Sequence, residues 1–150
     1  MATEIGPLAV RRSILIDATP TRVWEEFEDL ERMRRWFGTG HALVKYEAQV
    51  GAEVETDAGE LDGEALRFVG RVVVADPPHE ITFEQDWVGH GWKGPLLITI
   101  RLTSLDTGTL VELFHHGFEV LGADAAENHR GFECGWTMRQ LEALRELVRA

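Results

Sequence analysis

Histidine, glutamine and a set of tryptophans are the residues of this 150-residue chain whose types and placement could do chemistry. His115 lies in a stretch, Thr109 to His116, where Val111, Leu113 and His115 alternate with Glu112. Alternation of that kind puts His115 on the apolar face of a strand. Such a histidine is either a satisfied core residue or a donor or general base facing a bound molecule. Its neighbour His116 is expected to point outward. Gln85 shares a face with Ile81, Phe83 and Trp87, opposite Thr82, Glu84 and Asp86, and could orient a ligand by hydrogen bonding. Trp36-Phe37, Trp87, Trp92 and Trp136 stand near glycines, whereas Trp24 and Phe27 read as packing for a first helix. An aromatic-lined cavity with few polar groups suits a flat, apolar ligand.

Other chemistries find little support. The six histidines show no His-Glu-x-x-His spacing, and adjacent strand residues such as His115 and His116 face opposite ways, so no metal site is expected. Cys134, the single cysteine, excludes an internal disulfide framework and reads as an inert buried thiol on a helix. There is no serine-centred elbow, no phosphate-binding loop and no dinucleotide fingerprint, so no cofactor is expected. Arg12 interrupts the Val10, Ile14 and Ile16 face and is expected to pair with an acid near the rim. Arg32, Arg34 and Arg35 read as a solvated helix face beside Glu28 and Glu31.

These residues need elements to position them. Leu8 to Ile16 reads as a first strand. Thr19 can cap a helix whose first position is Pro20, and Val23, Phe27 and Leu30 form its stripe. A second short helix covers about Leu30 to Trp36. Strands are expected at Ala42 to Glu47, Ala52 to Asp57, Leu66 to Ala75, Glu80 to Trp87, Leu96 to Leu102 and Thr109 to His116, separated by turn residues such as Asp76-Pro77-Pro78 and Asp106-Thr107-Gly108. One apolar and one polar face per strand is antiparallel behaviour. The last segment reads as a single helix from about Ala125 to Val148, with Leu141, Leu144 and Val148 on its stripe and Arg139 on the opposite side. That helix must bury its stripe, and the sheet's inner face is the large apolar surface available. The expected fold is therefore α+β: a curved antiparallel sheet of six or seven strands wrapped around one long C-terminal helix, with two short helices after strand 1.

Length and charge set further bounds. The chain suits one domain, residues 1–150, with one sizeable core. A net charge of −11 disfavours nucleic acid and anionic lipid as partners. No apolar run approaches a membrane span, and no secretory signal is visible, so a cytoplasmic setting is expected. A homodimer is compatible with the pattern, without a nameable interface.

Four motifs, in order along the chain, resemble one superfamily. They are Ala18-Thr19-Pro20-Thr21-Arg22-Val23-Trp24 at the start of helix one, and Trp36-Phe37 after helix two. The third is Gly70-Arg71-Val72-Val73-Val74-Ala75-Asp76-Pro77-Pro78. The last is His115-His116-Gly117-Phe118 followed by Gly135-Trp136, Leu141 and Leu144. The chain resembles the START-like or SRPBCC superfamily, of helix-grip, Bet-v-1-like fold, and within it the activator-of-heat-shock-protein-90-ATPase homologue family. That resemblance implies the fold and a cavity between sheet and helix. It does not imply one activity, because the superfamily includes small-molecule carriers, polyketide cyclases and aromatases, and co-chaperones.

Two main readings follow. One is a non-catalytic binder of a small apolar or aromatic molecule. The other is a cofactor-free cyclase, aromatase or hydrolase with His115 as acid/base and Gln85 or a backbone group as carbonyl anchor. A third, weaker reading is a co-chaperone-like interaction protein. The binding reading places Trp36, Phe37, Phe83, Gln85, Trp87, Leu113, His115, Phe132 and Trp136 around the ligand. The cavity is expected near Gly131 and Gly135 in the N-terminal half of the long helix, with Leu141, Leu144 and Val148 packed tightly beyond it. Helix two, flanked by Gly38 and Gly40, is expected to act as a lid.

Overall fold

The structure, a computed structural model, describes residues 3–37, 42–61 and 63–149. Strand β1 (Val10–Ile16) leads into α1 (Pro20–Trp24), a 3₁₀ turn (Glu25–Phe27) and α2 (Leu30–Arg34). Six strands follow: β2 (Ala42–Lys45), β3 (Glu53–Leu61), β4 (Glu64–Asp76), β5 (Glu80–Trp87), β6 (Leu96–Leu105) and β7 (Gly108–His116). A 3₁₀ segment (Phe118–Asp124) then precedes α3 (Ala125–Gly135) and α4 (Arg139–Arg149). All seven strands form one antiparallel, curled sheet in the order β1-β7-β6-β5-β4-β3-β2. This is the expected α+β helix-grip arrangement.

Local chemistry accounts for the entry into α1. Thr19 is extended and its hydroxyl accepts from the Arg22 amide at 3.2 Å, while Pro20 fills the first helical position. Asp29 caps α2 in the same way, accepting from the Arg32 amide at 2.9 Å. Gly70 answers a different need. A Cβ there would stand 2.0 Å from the Glu84 carbonyl oxygen, so only glycine lets β4 cross β5 at that point.

The main core lies between the sheet and the helices. Ile16, Val23, Phe27, Trp36, Ile81, Phe83, Ile100, Val111, Leu113, Leu141 and Leu144 are all buried in it. Leu141, Leu144 and Val148 of α4 supply the apolar stripe that the sheet grips. A second, smaller cluster gathers Val10, Leu96, Phe118 and Leu121 beneath α3.

Two expectations are corrected by the fold. The C-terminal segment is not one continuous helix: Trp136 adopts an extended conformation (ψ 126°), and α3 and α4 are separate. His116 does not face solvent. Residues 3–9 cross the outer face of β5 to β7 and bury it, joining Thr3, Glu80, Thr82, Thr99 and His116 in one polar chain. Thr3 Oγ1 donates to Glu80 at 2.7 Å and lies 3.1 Å from Thr82 Oγ1; Thr82 and Thr99 hydroxyls are 2.9 Å apart, and Thr99 Oγ1 is 2.8 Å from His116 Nε2. Arg101 donates to Glu80 at 2.8 Å and also bonds the Thr3 carbonyl. Buried polar groups are tolerated when bonded this completely.

Candidate functional site

A cavity of about 390 Å³ opens between the inner face of the sheet and the junction of α3 with α4. Phe68 of β4, Gln85 and Trp87 of β5, Ile98 of β6 and His115 of β7 form its sheet side. Phe132, Gly135, Trp136, Thr137, Arg139 and Gln140 form its helix side, and Phe37 closes one flank. Its walls are largely aromatic. Phe132 lies 4.5 Å from the His115 ring and 6.4 Å from Phe68, and Phe68 packs on Trp87 at 5.6 Å. The volume falls within the range of small-molecule sites.

Polar groups in this cavity are few and specific. His115 has no solvent exposure, and the Trp136 indole N–H donates to its Nδ1 at 2.9 Å. An indole N–H can only donate, so Nδ1 carries the lone pair and the proton sits on Nε2. Burial pushes the His115 pKa down to about 3, with the neighbouring His116 and His129 adding to the shift. His115 is therefore a neutral donor near pH 7, with its basic nitrogen already engaged. Among the described residues its Nε2–H has no acceptor, and neither the Gln85 Oε1 acceptor nor the Trp87 Nε1–H donor has a partner. Buried groups left unpaired cost about 1–3 kcal/mol each, so they favour a molecule that can complete them.

The break between α3 and α4 makes this geometry. Ending α3 at Gly135 frees backbone carbonyls that a continuous helix would have used. Arg12 of β1 takes two of them, donating to the Glu133 carbonyl at 2.9 Å and the Trp136 carbonyl at 3.1 Å, and it approaches the Glu133 carboxylate at 3.5 Å. The extended Trp136 then turns its indole onto His115. Replacing Trp136 with Phe keeps an aromatic wall but removes the donor. We expect Trp136→Phe to cost about 1–3 kcal/mol in urea unfolding, because Nδ1 is left buried and unpaired. A loss below about 0.5 kcal/mol would show that the bond to His115 does not hold the site.

With that geometry in view, the chain can be compared with known proteins. A family model described as Activator of Hsp90 ATPase homolog 1-like protein matches residues 17–149. The chain belongs to this family. The sequence resemblance is thereby confirmed. Solved structures share the fold of this Activator of Hsp90 ATPase homolog 1-like chain. Protein CV1439 from Chromobacterium violaceum is 24% identical with a TM-score of 0.71, over 97% of this chain and 99% of that one. A protein from Arthrobacter aurescens is 18% identical with a TM-score of 0.72, over 99% and 90%. DynU16, from the dynemicin biosynthetic locus, is 20% identical with a TM-score of 0.71, over 97% of this chain and 48% of that one. Comparison with curated proteins finds no match.

Within this family member, six of the nine residues expected around a ligand line the cavity: Phe37, Gln85, Trp87, His115, Phe132 and Trp136. Trp36, Phe83 and Leu113 do not. Trp36 is fully buried, donating its Nε1–H to the Glu26 carbonyl at 3.0 Å, and it packs on Phe27. It is core, not lid, because Met33 of α2 and Trp36 just beyond it turn inward while Glu31, Arg32, Arg34 and Arg35 face solvent. Phe83 sits behind Phe37 at 5.7 Å, and Leu113 is buried in the sheet-helix core. Gly38 and Gly40, expected to flank the lid, lie outside the described residues.

Gly131 and Gly135 accommodate no close neighbour, since a Cβ at either would meet nothing within 4 Å. Cys134 is exposed rather than buried. Among the described residues, no group of three or more His, Cys, Asp or Glu side chains is placed to hold a metal ion, and no helix is long and apolar enough to cross a membrane. Phe68, Ile98 and Arg139 are lining residues that sequence reasoning missed. Phe68 was accessible in principle, because the β4–β5 hairpin pairs it directly with Trp87.

Proposed function

We propose that this protein binds a small, mainly aromatic molecule bearing hydrogen-bonding oxygen, held between the sheet and the α3–α4 junction. One observation carries the reading: an aromatic cavity contains a fully buried, neutral His115 whose Nε2–H has no partner among the described residues, with Gln85 Oε1 likewise without one. A carbonyl or phenolic oxygen would accept from His115, a hydroxyl hydrogen would satisfy Gln85, and ring faces would pack on Phe68 and Phe132. Family membership is compatible with this reading. In the resting arrangement His115 donates rather than abstracts protons, so binding is favoured over acid/base catalysis by this residue.

The apolar fluorophore N-phenyl-1-naphthylamine tests the reading. Its emission should rise saturably with the protein and quench the fluorescence of Trp87 and Trp136. Gly135→Leu places a side chain at the cavity wall, where a Cβ meets nothing within 4 Å, and it improves helix propensity. Stability should be maintained while probe affinity falls about tenfold or more, or by at least ~1.4 kcal/mol. Unchanged affinity in Gly135→Leu would place binding elsewhere, and no saturable binding would remove the reading.

A further inference from the structure

Arg139 carries an inference about the kind of molecule that enters. The chain has 26 acidic residues and a net charge of −11, yet among the described residues no carboxylate lines the cavity. Among those residues Arg139 is the charged side chain that does, since His115 is held neutral. Most arginines near acids are paired: Arg22 with Glu26 at 2.9 Å, Arg101 with Glu80 at 2.8 Å, Arg35 with Glu31 at 3.6 Å. Among the described residues, no carboxylate comes within 4.0 Å of the Arg139 guanidinium.

Its position strengthens the point. Arg139 is the first residue of α4, and Thr137, Arg139 and Gln140 all border the cavity, so the positive end of an eleven-residue helix dipole lies at the same rim. The buried His115 Nε2–H and Gln85 Oε1, each without a partner among the described residues, stand deeper in the same space. The gradient runs from neutral donors and aromatic walls inside to concentrated positive charge at the mouth. A wholly neutral ligand would use only the inner part. The overall negative field of the protein repels anions at long range, so selection of one needs a local cation. A guanidinium offers the fork that carboxylates and sulfonates match.

We propose that the ligand is an aromatic organic anion, its ring system inside the cavity and its carboxylate or sulfonate group against Arg139. This rests on the binding reading above. Two fluorophores with the same aromatic body separate the claims: 1-anilinonaphthalene-8-sulfonate carries the anion and N-phenyl-1-naphthylamine lacks it. The wild type should bind the sulfonate roughly five- to fiftyfold more tightly than the neutral probe. Arg139→Gln should abolish that preference, sulfonate affinity falling at least fivefold further than neutral-probe affinity. Arg139→Lys should retain part of it, and rising salt should erode it in the wild type. Arg139 is exposed, so these variants should unfold like the wild type. Equal binding of the two probes, or a preference that survives Arg139→Gln, overturns the anion proposal while leaving the cavity reading intact. Failure of both probes to bind saturably overturns both.

Discussion

Acidification from pH 7 to pH 4 is expected to remove roughly 3 kcal/mol of stability or more, with the loss beginning near pH 6.5. His115 titrates at about 3 in the folded protein, against an ordinary 6.5, because burial disfavours its charged form. His116 is lowered as well, by burial and then by the Arg101 charge. Just below pH 6.5 the unfolded chain therefore takes up protons on both residues more readily than the folded chain does. The His115 contribution is fully present above pH 6.5 and drains away as the pH falls toward 3, and His116 adds to the loss in the same direction. Each pH unit in that window costs up to about 1.4 kcal/mol for His115 alone.

Glu80 acts in the same direction at lower pH. Burial would raise its pKa, but hydrogen bonds from Thr3 and Arg101 and the Arg101 charge outweigh that and lower it. Its contribution is present above the ordinary carboxyl value of 4.5 and is lost as pH falls below it. The interval from pH 6.5 to 4.5 thus isolates the histidines. Urea midpoints measured across it should fall steadily, and His115→Gln should flatten the profile. A midpoint that stays constant over that interval in the wild type would mean His115 is not buried and neutral as described.

Trp36→Ala is expected to cost about 3–5 kcal/mol, among the larger single-residue effects available to this chain. Trp36 has no solvent exposure and packs on Phe27 at 4.9 Å and Phe37 at 5.6 Å. Its indole also holds the Glu26 carbonyl. The Glu26 carboxylate in turn binds Arg22, which donates to the Leu147 and Val148 carbonyls at the end of α4. Removing the indole therefore loosens α1, α2 and α4 together. Urea unfolding reads the cost, and fluorophore binding below the unfolding transition reads the site. A core role predicts a large stability loss with affinity within about twofold of wild type. A stability loss below about 1 kcal/mol with a tenfold affinity loss would restore the lid role that the sequence suggested for this residue.

Much of the architecture was readable from residue order. Strand alternation located all seven strands and identified the face of Val111, Leu113 and His115, because a strand's period of two is imposed by the backbone itself. Thr19-Pro20 marked the start of α1 for an equally local reason: a hydroxyl reaches an amide three residues on. The family motifs carried the fold, and the clustering of tryptophans near glycines pointed to the right end of the C-terminal helical segment.

What remained hidden depends on contacts between residues far apart in the chain. Helical periodicity counts continuously through Trp136 and puts Arg139 on the solvent side. The break changes the phase of everything after it, and it is held by Arg12, more than 120 residues away, taking the freed carbonyls. The same break gives Trp136 its bond to His115, so the tautomer of the site's central residue was also beyond local reading. Alternation likewise reports which side of a strand is less polar, not what covers the other side. His116 is buried on the outer side of the sheet, in a polar chain that the N-terminal segment closes through Thr3 and Glu80. Local patterns determined the elements and their inner faces; long-range hydrogen bonds decided where a helix stops and which polar groups are left facing a cavity.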